Sequence, residues 1–65
     1  MDKWETLRMV VQENKERTFS ADMQETMKDK PDKKRQDALK ASYQAFDTIA
    51  KSMDEIDEYA EGEEQ

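Results

Sequence analysis

The second half of the chain carries the clearest pattern of apolar and polar positions. Leu39, Ser42, Phe46, Ile49, Met53, Ile56 and Ala60 follow one another at steps of three and four. Such steps hold side chains on one stripe of an α-helix. Ala38, Ala45, Ala50 and Tyr59 widen the stripe, while Lys40, Gln44, Asp47, Lys51, Asp54 and Glu58 fill the opposite face. The spacing predicts a helix over about 32–61, roughly 45 Å long at 1.5 Å per residue. Gly62 stands where a helix-ending glycine belongs, and residues 63–65 are then expected as a disordered acidic tail.

The first half is helical with a less regular pattern. Trp4, Leu7, Val10, Val11 and Asn14 share one face. Asp2 fits as an N-cap with Glu5 three residues on, a pattern close to a capping box. Phe19, Met23 and Met27 repeat every four residues, so the stripe drifts around the helix. No Gly or Pro interrupts residues 1–30, which predicts one continuous helix over about 2–28. Thr18 and Ser20 could instead cap a second start, which leaves a break near Thr18 as the alternative.

Lys30-Pro31-Asp32 is the strongest punctuation. Proline disfavours helix at the residue before it and suits the first turn of the helix after it. Two helices joined by a turn at 29–31 make an all-α antiparallel hairpin, a single domain over 1–62. In that register residue i faces roughly residue 61 − i. Trp4 then lies among Ile56, Tyr59 and Ala60, Leu7 opposite Met53, and Val11 opposite Ile49 and Ala50. Phe19 falls opposite Ser42, and Met23 opposite Leu39. The expected core and dimer seam is Trp4, Leu7, Val11, Phe19, Met23, Leu39, Phe46, Ile49, Met53 and Ile56.

A lone hairpin gives each helix one neighbour, so part of a wide stripe stays wet. The simplest remedy is a second hairpin, giving a four-helix bundle as a symmetric homodimer. The alternative is a three-helix monomer, with the first helix broken near Thr18 and residues 20–29 folded back.

Charge adds direction to that picture. Residues 1–29 carry five basic and seven acidic groups, residues 30–40 five and two, and residues 41–65 one and eight. The turn end of the hairpin is basic and the open end acidic. Antiparallel hairpins would set each basic tip beside the partner's acidic end. The acids Asp54, Glu55, Asp57, Glu58 and Glu61 also sit where a helix dipole favours cations, and Asp54–Glu58 and Asp57–Glu61 are like-charge neighbours. That local cost marks Asp54, Asp57, Glu58 and Glu61 as the candidate partner-binding surface.

Composition narrows the chemistry. The chain has 65 residues, 43% of them charged, with no Cys and no His. Disulfides, thiolate metal sites and the commonest acid–base residue are excluded. No Asp-rich loop has calcium-binding spacing, and the Glu-x-x-His of a di-metal bundle is missing. Ser20, Ser42, Ser52, Tyr43 and Tyr59 have no base beyond carboxylates and lysines, and a thin hairpin offers little concavity. No enzyme activity, cofactor or metal is expected. The basic cluster Lys28, Lys30, Lys33, Lys34 and Arg35 is short and flanked by acids, which reads as a solvated turn and a dimer complement. Direct nucleic-acid binding is not expected. No apolar run reaches the roughly 20 residues of a membrane span, so no membrane is expected and the cytoplasm is the default location. The methionines Met9, Met23, Met27 and Met53 suit adaptable packing.

The ends of the chain carry a resemblance. Met1-Asp2-Lys3-Trp4-Glu5-Thr6-Leu7 with Val10-Val11-Gln12-Glu13, and Tyr43, Ile49 and Met53-Asp54-Glu55-Ile56-Asp57 further on, resemble small acidic proteins of phages and prophages of Gram-positive bacteria. The likeness covers the two ends and not the middle, and Asp57 replaces the more usual Glu. It implies a non-enzymatic accessory protein acting on a host factor, in the host cytoplasm, and it assigns no functional residue.

Three functions remain open from the sequence. The first is a helical protein–protein interaction module that self-associates and binds an unidentified protein. The second is an acidic, DNA-mimicking inhibitor of a nucleic-acid-binding host protein. The third is a small structural or assembly scaffold.

Overall fold

The computed structural model describes residues 2–64 and contains two α-helices, α1 (Lys3–Thr26) and α2 (Lys33–Glu64). They pack against each other as an antiparallel hairpin, and no strand occurs among the described residues. The hairpin measures 55 × 20 × 13 Å with a radius of gyration of 15.5 Å. A compact chain of this length would have a radius of about 11 Å. The molecule is a rod two helices wide.

Local chemistry sets the ends. Asp2 caps α1, its side chain accepting the Glu5 N–H at 2.7 Å and its carbonyl the Thr6 N–H at 3.1 Å. α1 runs unbroken past Thr18. The Thr18 hydroxyl donates to the Asn14 carbonyl at 2.7 Å, four residues back, so it braces the existing helix instead of capping a new one. Asn14 and Thr26 bond back to Val10 and Asp22 in the same way. The broken-helix alternative is therefore not adopted. α1 ends at Thr26, two residues short of the expected 28, and Met27 closes it with its N–H on the Met23 carbonyl at 3.1 Å.

Asp32 caps α2. One carboxylate oxygen accepts the N–H groups of Lys34 at 3.0 Å and Arg35 at 3.3 Å. Pro31 therefore precedes the cap instead of occupying the first turn, and the turn spans 27–32. At the far end α2 continues through Gly62 to Glu64, where the sequence predicted a stop at Glu61. No described glycine has positive φ, so Gly62 acts as an ordinary helical residue at a cost of about 1 kcal/mol relative to Ala. Of the expected tail 63–65, Glu63 and Glu64 extend α2, and Gln65 lies outside the described residues.

The burial pattern is regular. On α2 Gln36, Leu39, Tyr43, Phe46, Ala50, Met53 and Asp57 are the half-buried or buried positions, joined by Asp47 at one edge. On α1 the corresponding line is Trp4, Arg8, Val11, Lys15, Thr18, Asp22 and Glu25, with Asn14 and Ala21 beside it. Both lines step by threes and fours, as two antiparallel helices in contact along their length require. Val11 and Met53 are the buried apolar residues.

This seam differs from the expected one. Trp4, Val11, Leu39, Phe46 and Met53 lie in it, whereas Leu7, Phe19, Met23, Ile49 and Ile56 are 43–54% exposed. On α2 the line of contact is rotated by one position, from Ser42, Ile49 and Ile56 to Tyr43, Ala50 and Asp57. The reason is electrostatic and follows below: the acids beside the apolar stripe turn inward to meet cations on α1.

The seam makes a stability difference measurable. Met53→Ala is expected to cost about 2–5 kcal/mol, a large share of what a chain this size has. Met27→Ala, at a side chain 80% exposed, should stay within about 0.5 kcal/mol. Urea unfolding followed by helical circular dichroism at fixed protein concentration checks both, and equal losses would contradict the burial pattern.

Candidate functional site

The hairpin has two unlike sides. On one, α1 cations reach across to α2 acids. Arg8 Nη1 lies 2.6 Å from Asp54 Oδ1, and its other prong pairs with Asp57. Trp4 Nε1 donates to the same Asp57 carboxylate at 2.8 Å. Two turns along, Lys15 Nζ sits 2.9 Å from Asp47, whose second oxygen takes Lys51 at 3.0 Å. Lys15 also lies 5.6 Å from the centroid of the Tyr43 ring, which packs at 5.8 Å on Phe19. These partners obey the expected register, since Trp4–Asp57, Lys15–Asp47 and Phe19–Tyr43 each sum to 61 or 62.

At the turn the polarity reverses. Glu25 on α1 is 2% exposed and is held between Arg35 Nε and Lys28 Nζ, each at 3.1 Å. Gln36 donates to the Thr26 hydroxyl at 3.3 Å beside it. The turn is thus closed by a sequestered carboxylate between cations of both flanks.

The four acids singled out from the sequence are brought to one end of α2 but not into one state. At 100° per residue, Asp54, Asp57, Glu58 and Glu61 span an arc of about 100°. Asp54 and Asp57 are engaged by Arg8, whereas Glu58 and Glu61 remain exposed. Because α2 runs on to Glu64, Asp54 and Asp57 lie two to three turns before its negative end, and Arg8 gives them a cation from the other helix. The basic cluster divides likewise. Arg35 and Lys28 serve Glu25, Lys33 pairs with Asp37 at 3.2 Å, and Lys30 and Lys34 are exposed. The cross-helix pairs were not named from sequence, yet the register placed Arg8 opposite 53–54 and Lys15 opposite 46–47. Opposite charges at facing positions were the available signal.

The other side of the hairpin is apolar. On α2 Ala38, Ser42, Ala45, Ile49, Ser52, Ile56 and Tyr59 are all exposed, and they too step by fours and threes. This second stripe lies on the flank away from Asp47 and Asp54, and therefore away from the ion pairs. Leu7 and Val10 of α1 flank the seam on that same side, 48% and 46% exposed, since Arg8 and Lys15 mark the opposite flank.

Concavity is shallow. A groove of about 490 Å³, open to solvent, is lined by Gln12, Lys15, Glu16, Phe19, Ser20 and Tyr43. Lys15 is committed to Asp47 and Gln12 donates to Glu16 at 3.1 Å, so the polar groups already satisfy one another. Among the described residues no group of three or more His, Cys, Asp or Glu is arranged to hold a metal ion, and no helix is long and apolar enough to cross a membrane.

The ion pairs shift the groups that form them. The Asp47 carboxyl is held below its ordinary value, chiefly by the bond from Lys15 and next by that from Lys51, against an opposing push from burial. Lys15 is raised, chiefly by the bond to Asp47, and Arg8 is raised, chiefly by the bond to Asp54. A carboxyl held low adds stability above its unfolded-state value, and that stability is lost as pH falls through the lowered folded value. A raised lysine adds stability below its unfolded-state value, lost as pH rises through the raised one. The stability gap between the wild-type chain and Asp47→Asn should therefore stay level from about pH 5 to about pH 9 and close on both sides. Thermal melts across pH measure it, and a gap that persists at about pH 2 would mean that Asp47 acts through packing instead of charge.

Comparison with known proteins leaves the geometry to speak alone: no protein-family model, curated protein or solved structure matches this chain.

Proposed function

We propose that this chain is a non-enzymatic helical interaction module that docks a protein along the apolar side of its hairpin. The observation that carries this reading is the second stripe. Ile49, Ile56, Leu7 and Val10 are 43–54% exposed on one side of a rod whose inner seam takes in Arg8, Lys15, Glu25 and Asp57. Apolar side chains gathered on one side of a small soluble rod are the usual mark of a contact surface. The resemblance at the chain ends adds the setting, a phage or prophage accessory protein acting on a host protein.

A second reading is an acidic inhibitor that fills a nucleic-acid-binding groove. Exposed Glu58 and Glu61 beside Asp54 and Asp57 favour it. It is the weaker of the two, because Arg8 already engages two of those four carboxylates.

Photo-crosslinking separates the sides. A photoreactive residue at Ser52, on the apolar stripe, is expected to give discrete protein adducts in expressing cells, and one at Gln44, beyond the ion pairs, is not. No adduct at Ser52, or equal adducts at both, overturns the reading. Glu58→Lys with Glu61→Lys should leave the Ser52 adduct within about twofold, because exposed charges contribute little. Loss of the adduct on that reversal would move the site to the acidic end.

A further inference from the structure

The two stripes of α2 differ in a way that points to what covers the outer one. The stripe runs Ala38, Ser42, Ala45, Ile49, Ser52, Ile56, Tyr59, all exposed. Its turn-proximal half is small and its distal half bulky. On α1 the bulky apolar residues of that side, Leu7 and Val10, likewise lie near the open end, with Ala21 nearer the turn. A surface graded from small to large is complementary to itself reversed.

We infer that the apolar side takes a second copy of this chain, rotated about a two-fold axis perpendicular to α2 near residue 47, so that two antiparallel hairpins form a four-helix bundle. This rests on reading the chain as an interaction module and names its partner. With the axis there, residue i of one α2 faces residue 94 − i of the other. Ala45 then meets Ile49 of the second copy, Ala38 meets Ile56, Ser42 meets Ser52, and Arg35 meets Tyr59. Ile49 and Ile56 each fall on an alanine, and the pairs repeat through the length of contact, as an isologous interface demands.

Charge selects the same direction. Residues 30–40 carry a net +3 and residues 41–65 a net −7. Antiparallel packing sets Glu61 against Lys33 of the second copy and the acidic end beside exposed Lys30 and Lys34. Packing with the turns together would stack the two acidic ends, and like charges in register oppose association.

Area argues for a second copy over a lone monomer. A compact monomer of 7.7 kDa exposes about 4,300 Å². This chain exposes 5497 Å². The excess, about 1,200 Å², is more than the roughly 800 Å² each partner contributes to an interface of standard size. A second copy needs no further protein to be present, since the complementary surface comes with every chain.

Sedimentation of the full chain from about 1 to 100 μM reads the mass directly, and a dimer within that range is expected. A monomer throughout overturns the proposal. If the Ser52 photoadducts persist in that case, the interaction module stands with a different partner. Ile49→Glu, an exposed change that should leave helix content intact, is expected to weaken self-association by about 30-fold or more. Unchanged association overturns the assigned face. Orientation is read by cysteines placed in this cysteine-free chain. Under oxidation a mixture of Ser42→Cys and Ser52→Cys chains should form mixed covalent dimers. Each alone should not, because like positions lie about 15 Å apart along the antiparallel pair, beyond disulfide reach. Efficient self-pairing of either single variant overturns the antiparallel arrangement.

Discussion

Everything in this hairpin depends on how two helices with one shared line of contact divide their side chains between that line and the outside. The line is filled by Trp4, Arg8, Val11, Lys15, Thr18, Asp22 and Glu25 facing Gln36, Leu39, Tyr43, Phe46, Ala50, Met53 and Asp57. Arg8 to Asp54 and Asp57, Lys15 to Asp47, and Glu25 to Arg35 cross it at three levels. Partly exposed ion pairs are poor sources of net stability, yet they favour one axial offset. A slide of one turn would take Lys15 from Asp47 and Glu25 from Arg35. The charges therefore act chiefly on register. Lys15 also lies over the Tyr43 ring, so its stem adds apolar contact beside the seam.

That arrangement explains which parts of the architecture were legible in the sequence. The all-α hairpin was, because Pro31, the two caps and the three–four spacing all speak to backbone conformation, and no other part of the chain opposes them. The turn-to-turn register was as well, since it follows from the position of the turn. The seam was only half legible. Leu39, Phe46 and Met53 belong to both possible stripes of α2, but Ile49 and Ile56 gave way to Ala50 and Asp57. Apolar periodicity places the contact at the centre of the hydrophobic arc. It cannot register that Arg8 and Lys15 on the other helix draw the line toward Asp47, Asp54 and Asp57. Gly62 misled, and the alternative break at Thr18 was not adopted, for a related reason. Each has a local preference, capping or termination, that an intact hydrogen-bonded helix overrode.

The candidate surface was legible in part for the same cause. The acids 54, 57, 58 and 61 attracted attention because they were expected to oppose the helix dipole, but α2 runs on to Glu64 and Arg8 engages Asp54 and Asp57 inside the chain. The surface that remains unanswered is the apolar stripe, and reading it required knowing which side of α2 the ion pairs occupy. Once Lys15 and Arg8 fix one flank, the position of Ile49, Ile56, Leu7 and Val10 on the other follows from helical geometry alone.

The division of roles between the two stripes is coherent physically. Polar groups in a contact choose among arrangements more than they strengthen any one of them, whereas apolar area is non-directional and strengthens whichever arrangement is allowed. A chain that lined its inner seam with Ile and Leu and its outer face with charge would make a firmer hairpin with nothing left to offer a partner. This chain mixes the two. Its intramolecular contact is specified by Arg8, Lys15 and Glu25, and most of its exposed Ile, Leu and Val side chains face outward on one side. Stability of the hairpin and occupancy of that side are consequently linked, since a partner that binds only the folded form stabilises it by mass action. For a rod this thin, any docking on that side would share one equilibrium with folding.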